Sequence, residues 1–155
     1  MTCIAAGRAW RKTSMVLSGL FLAAFLAATL IPAQSELVLA AMVASGSYPV
    51  WAVVAVATTG NVLGSVVNWL LGRGAAELSD RRWFPVSPMR LKQVSDWYRR
   101  WGYWSLLAAW VPLIGDPLTV AAGTLREPLW RFLCLVTIAK GGRYVLLAAA
   151  VLGIA

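Results

Sequence analysis

At 155 residues, with 60% hydrophobic and 13% charged positions and a net charge of +8, the chain departs from soluble proteins, which average about 45–50% apolar and about 25% charged residues. It reads as one compact integral membrane domain, residues 1–155, and nine tryptophans agree, because Trp gathers at the headgroup boundary. The absence of histidine excludes His-based metal sites, triads and proton relays, and Cys3 and Cys134 form no metal-ligand spacing. The basic residues fall in blocks between apolar runs, as the positive-inside bias requires, so the charge does not argue for a nucleic-acid partner.

Arg8, Arg11 and Lys12 precede an uncharged run from Thr13 to Ile31. That run exceeds a signal peptide's apolar core of about 7–15 residues, and more apolar sequence follows, so a retained first membrane helix is expected. Residues 32–49 form the next unit, opened by Pro32. Its apolar core, Leu37 to Ala44, is short of the about 20 residues a crossing needs, and Ser45-Gly46-Ser47-Tyr48-Pro49 reads as a turn. A first re-entrant hairpin is indicated. Glu36 stands at its start, where free backbone N–H groups and the positive end of a helix dipole suit a carboxylate.

Val50 to Leu71 is long enough for a full crossing. Gly60 and Gly64 give it a small-xxx-small spacing that permits close helix approach, and Asn61 and Asn68 share one face. Gly72-Arg73-Gly74 is expected to end it. Residues 73–101 then form the most basic loop, expected to be cytoplasmic together with the N-terminus. Within it Leu91, Val94, Tyr98 and Trp101 recur at helical spacing opposite Lys92, Arg99 and Arg100, the pattern of an amphipathic helix lying on the inner leaflet.

Residues 103–125 are apolar at both ends and broken by Gly115-Asp116-Pro117, with Pro112 just before. This predicts a second re-entrant hairpin, whose irregular backbone survives at membrane depth only where protein or a wet cavity covers it. A carboxylate there marks a functional site. Leu129 to Ala155 is again long enough to span, but Lys140-Gly141-Gly142-Arg143 interrupts its apolar character. The rise from Arg131 to Lys140 is about 13 Å, which puts the lysine inside the hydrocarbon layer.

The two units share a pattern. Ile31-Pro32-x-x-x-Glu36 with Ala40-Ala41 parallels Val111-Pro112-x-x-x-Asp116 with Ala121-Ala122, and each precedes a long helix with a polar, glycine-containing interruption. Pro32 and Pro112 stand almost as far apart in the chain as Gly60 and Gly141 do. With one unit entering from each side, the halves have inverted topology, a transporter plan that puts the site at the repeat interface. The expected fold is therefore all-α: about three transmembrane helices, two opposed re-entrant hairpins and a cytoplasmic amphipathic helix.

Glu36 and Asp116 are the main candidates, as proton carriers or ion-pair partners at opposed hairpin tips. Lys140 and Arg143 are their natural counter-ions, or the site for an anionic group, since a guanidinium suits bidentate phosphate contact. Asn61 serves as interhelical hydrogen-bond glue or as a ligand contact. Pro32, Pro112, Gly115, Pro117, Gly60 and Gly64 shape the hairpins and pack the helices. No nucleophile–base pair or phosphate-cradling loop is present, so no catalysis, metal or cofactor is expected.

Ala28-Thr-Leu-Ile-Pro-x-x-Ser-Glu36, Ala57-Thr-x-Gly60-Asn-x-x-Gly64, Leu71-Gly-Arg73, Trp-x-Pro112-x-x-Gly-Asp-Pro117 and Ala-Ala-Gly123 resemble the DedA superfamily (the SNARE-associated or VTT-domain group), in particular its short YqaA-like branch. The resemblance runs from about Ala28 to Arg143. It implies two re-entrant hairpins facing each other, and movement of polyprenyl-phosphate carriers or phospholipids between leaflets, coupled in bacteria to the proton motive force. Better-studied members carry arginines around the second hairpin's proline, where this chain has Ala109 and Gly115. The phosphate-binding role of those arginines therefore does not transfer, and Arg143, Lys140 and Arg126 are the cations left to take it.

The function expected is that of a lipid transporter or scramblase of a bacterial inner membrane. Its partners would be membrane lipids with an anionic headgroup, with self-association open. Two other classes stand beside it: a non-transporting structural or assembly protein, and a small-ion or proton-coupled exchanger.

Overall fold

The computed structural model describes residues 15–26, 34–75, 88–111 and 114–153, which are helices joined by turns, with no strand among them. Helix α1 is Met15–Leu26, α2 is Gln34–Ala44, α3 is Val50–Ala75 and α4 is Pro88–Trp101. A 3-10 segment, Gly102–Trp110, precedes α5, Gly115–Thr124, and α6, Leu129–Leu152.

Helices α3 and α6, with 26 and 24 residues, are about 39 and 36 Å long. Each is apolar enough to cross a membrane, yet only 33% and 28% of their apolar windows are buried. A core helix of a soluble protein would be mostly covered. Trp51, Leu70, Trp130, Ile138 and Leu146 are exposed along them, so their open sides are apolar too, as on helices bathed in lipid. They are two candidates for the about three crossings expected. The described part of α1 is about 18 Å long, and the rest of the Thr13–Ile31 run lies outside the described residues.

Two apolar clusters divide the bundle. One joins Leu20 and Ala24 of α1, Leu39 and Met42 of α2, Val53 and Ala57 of α3, and Tyr144 and Ala148 of α6. The other joins Val62 and Trp69 of α3, Tyr98 of α4, Leu106 of the 3-10 segment, Leu118 of α5, and Phe132 and Val136 of α6. The start of α3 thus packs with the end of α6, and the two long helices run antiparallel. Short helix α2 lies on α6, and short helix α5 lies on α3. Each half therefore supplies the short helix that covers the other half's long one. The starts of the long helices, Val50 and Leu129, are separated by nearly the same length of chain as Pro32 and Pro112.

Three details depart from the sequence expectation. Helix α3 does not end at Gly72 but runs to Ala75. Gly72 and Gly123 face each other where α3 crosses α5: a Cβ on Gly72 would strike the Val120 carbonyl, and one on Gly123 the Trp69 carbonyl. Glycine there permits backbone contact rather than ending the helix. Second, the break in the 103–125 unit falls between Trp110 and Gly115, and Gly115, Asp116 and Pro117 form the first turn of α5. A proline fits there because first-turn N–H groups have no intrahelical partner to lose. Third, α6 continues through Gly141-Gly142 unbroken and stops at Gly153, whose φ of 69° closes the last turn.

Helix α4 forms where the amphipathic helix was expected. Tyr98 is buried in the second cluster, whereas Trp97 and Trp101 are exposed, so Trp101 does not share the covered face. The side chains of Leu91, Lys92, Val94 and Arg99 lie outside the described residues. The phenol of Tyr98 donates to Glu127 Oε2 at 2.8 Å, and Trp69 Nε1 donates to the Glu127 carbonyl at 3.2 Å. These bonds tie α4 and α3 to the α5–α6 turn. Burial first, and then the Glu127 carboxylate, hold the Tyr98 phenol above its usual range.

Candidate functional site

Between the two apolar clusters lies a polar layer. Lys140 sits midway along α6, Leu129–Leu152, and Asn61 sits well inside α3, Val50–Ala75. At a helical rise of about 1.5 Å per residue, each is about 17 Å from the nearer helix end. Only a fold that supplies partners tolerates an ammonium at this depth.

The network around it draws on four helices, α2, α3, α5 and α6. Lys140 Nζ donates to Asn61 Oδ1 at 2.5 Å and to Asp116 Oδ1 at 3.3 Å. Asn61 Nδ2 donates to the Tyr144 hydroxyl at 2.7 Å, which is also bonded to Ser35 Oγ at 3.0 Å. Lys140, Tyr144 and Ser35 are almost wholly buried. One helical turn beyond Lys140, Arg143 pairs with Glu36 and donates through NH1 to the Trp110 carbonyl at 2.8 Å. Glu36 and Asp116 stand in the first turns of α2 and α5, where the dipole favours a carboxylate.

The candidate residues Glu36, Asn61, Asp116, Lys140 and Arg143 thus share one layer. The acids do not pair with each other. Each reaches a cation on α6, so that one helix connects α2 and α5. Gly60 packs against the Phe21 carbonyl and Ala24, Gly115 against the Ala109 carbonyl, and Gly64 and Pro117 are buried. Pro32 and Pro112 lie outside the described residues. Arg126 is exposed in the α5–α6 turn with a φ of 57° and takes no part in the layer.

Sequence reasoning missed Tyr144, Ser35 and the Trp110 carbonyl. Tyr144 follows Lys140 by one helical turn, hence lies on the same helix face, and that spacing was the available signal. Ser35 adjoins Glu36, but its partner is 109 residues away. Backbone carbonyls have no sequence signal at all. Among the described residues no cluster of His, Cys, Asp or Glu could hold a metal ion.

The VTT domain profile matches residues 31–152, most of the chain. The chain belongs to the VTT-domain (DedA) family. It is 40% identical over 140 residues to the inner membrane protein YqaA of Escherichia coli K12, covering 88% of this chain and 92% of that protein. The Shigella flexneri protein of the same name matches equally well. An uncharacterized protein of Haemophilus influenzae is 30% identical over 145 residues, covering 89% and 87%. No solved structure matches significantly. The VTT domain contains the whole polar layer, whereas α1 precedes it.

Proposed function

We propose that this VTT-domain membrane protein moves an anionic lipid between the leaflets of a bacterial inner membrane, the headgroup passing through the polar layer while the acyl chains stay in lipid. One observation carries the reading: a buried lysine halfway along a membrane-length helix, bound to an acid in the first turn of a short helix that follows a break. The location follows the name of the Escherichia coli relative. In this reading α2 and α5 are arms of re-entrant hairpins entering from opposite faces, with Glu36 and Asp116 near their tips, and α1 belongs to a third crossing. The basic segments, the N-terminus included, face the cytoplasm.

Two acids stand against two cations in the layer, so it is neutral when empty. Protonating Asp116 or Glu36 frees its cation for an oxyanion, which couples headgroup entry to a proton gradient. The test is leaflet exchange of short-chain fluorescent phosphatidylglycerol in vesicles containing the purified protein, with an imposed proton gradient. Exchange above protein-free vesicles, lowered at least tenfold by Asp116→Asn, is expected. Exchange no faster than in empty vesicles refutes the proposal.

The one-to-one pairing also favours a second reading, in which the layer only locks the helices together. Glu36→Gln and Asp116→Asn would then alter stability or abundance with no transport to lose. Movement of a water-soluble ion instead of lipid would mark an exchanger.

A further inference from the structure

The neutral part of the polar layer has a direction. An ammonium only donates, so Lys140 Nζ, at 2.5 Å, fixes which end of the Asn61 amide is the oxygen. The amide nitrogen is then committed to the Tyr144 hydroxyl at 2.7 Å. That hydroxyl oxygen, having accepted from Asn61, turns its own proton to Ser35 Oγ at 3.0 Å. Donors therefore run in one sense, from α6 to α3, back to α6 and on to the start of α2. Among the described residues the Tyr144 hydroxyl is the hydrogen-bond partner of the Ser35 side chain, and both residues are almost wholly buried.

Such a chain is cooperative: each bond polarises the next, and burial strengthens the effect. The bond at Ser35 therefore depends on how far Lys140 leans on Asn61. Asp116, in the first turn of α5 and 3.3 Å from Nζ, is the competing acceptor. When Asp116 withdraws, Asn61 becomes the lysine's main partner and the phenol's hold on Ser35 tightens. Arg143 grips α2 separately through Glu36, so the relay adjusts the hold on α2 rather than supplying it alone.

We infer that Tyr144 and Ser35 are positioning residues that interlock the two short helices: loosening α5 from Lys140 fastens α2 more firmly, so the two are not released together. The interlock concerns the protein's own halves. It stands whether the layer passes a lipid, passes an ion or only locks the helices. It also gives Tyr144 a role beyond packing in its apolar cluster, because the hydroxyl alone carries it.

The test is denaturant unfolding of the full chain in detergent. It reads the factor by which Ser35→Ala raises the unfolding equilibrium constant, first alone and then together with Asp116→Asn. Ser35 is neutral, so direct charge attraction between the two positions contributes little, and sites that share no partner keep such a factor constant within about twofold. The interlock makes the factor larger by more than about twofold beside Asp116→Asn, because the bond being deleted has grown stronger. Ser35→Ala leaves the Glu36–Arg143 pair in place, which keeps α2 docked for the comparison. Tyr144→Phe lacks the hydroxyl, and Asn61→Leu breaks the relay one joint earlier. The excess should vanish in both backgrounds, and either serves where the other does not fold. A merely structural Tyr144 lowers stability when changed to Phe but creates no excess to lose. A factor that is unchanged or smaller beside Asp116→Asn overturns the inference, and so does an excess that survives Tyr144→Phe or Asn61→Leu. Leaflet exchange is not read, so failure of the lipid-transport reading leaves this result untouched.

Discussion

Replacing Gly72 by alanine tests the α3–α5 crossing directly. An added Cβ would meet the Val120 carbonyl oxygen far inside contact distance, with the Thr124 amide nitrogen also at 3.1 Å. The colliding atoms are backbone, so no rotamer change relieves them. The helices must separate, loosening the packing of Trp69 against Phe132 and of Leu118 within the same cluster. Overpacking costs about 1–3 kcal/mol, occasionally more, against a helix-propensity gain of up to about 1 kcal/mol for Gly→Ala. The net expectation is a loss of about 1–2 kcal/mol. Gly74, a little further along the same helix, has open space around its Cβ direction, so Gly74→Ala keeps only the propensity gain. Thermal unfolding of both purified variants in detergent supplies the comparison. If Gly72→Ala proves as stable as Gly74→Ala, the backbone contact does not exist.

Other perturbations reach the polar layer and the α4 latch. Lys140→Met strands Asp116 and Asn61 and should cost about 3–5 kcal/mol, as breaking buried pairs does; Lys140→Met with Asp116→Leu should recover part of it in denaturant unfolding. Tyr144→Phe leaves both Asn61 and Ser35 without the hydroxyl they share, a loss of about 1–3 kcal/mol in the same assay. Gly142→Ala has open space on α6 and should be neutral or stabilising by up to about 1 kcal/mol. Tyr98 is held protonated in the folded state above its usual range, while the unfolded phenol ionises near pH about 10. The unfolded state then binds fewer protons, so stability falls as pH rises past that value. Tyr98→Phe should flatten this alkaline fall in a pH series of melting temperatures.

The membrane class, the two long apolar helices, the two short helices and the candidate charges were all legible in the chain itself. Apolar run length and block charge report the solvent a segment faces, and that solvent is a local property. The pairing of Asp116 and Glu36 with Lys140 and Arg143 was also within reach, because an ionised group in hydrocarbon must find a counter-ion and few were on offer.

What the tertiary structure decided is everything that depends on two distant positions meeting. Asn61 and Tyr144 are 83 residues apart, and Ser35 and Tyr144 are 109 apart, so each reads locally as an ordinary polar or aromatic residue. Gly72 reads as a helix terminator beside Arg73 and Gly74, yet it is a contact point set by Val120 and Gly123 of α5. Which acid goes with which cation depends on helix rotation, and composition does not encode rotation. Composition and hydropathy chose the bilayer as solvent, but only packed backbones could choose which side chains meet in the polar layer.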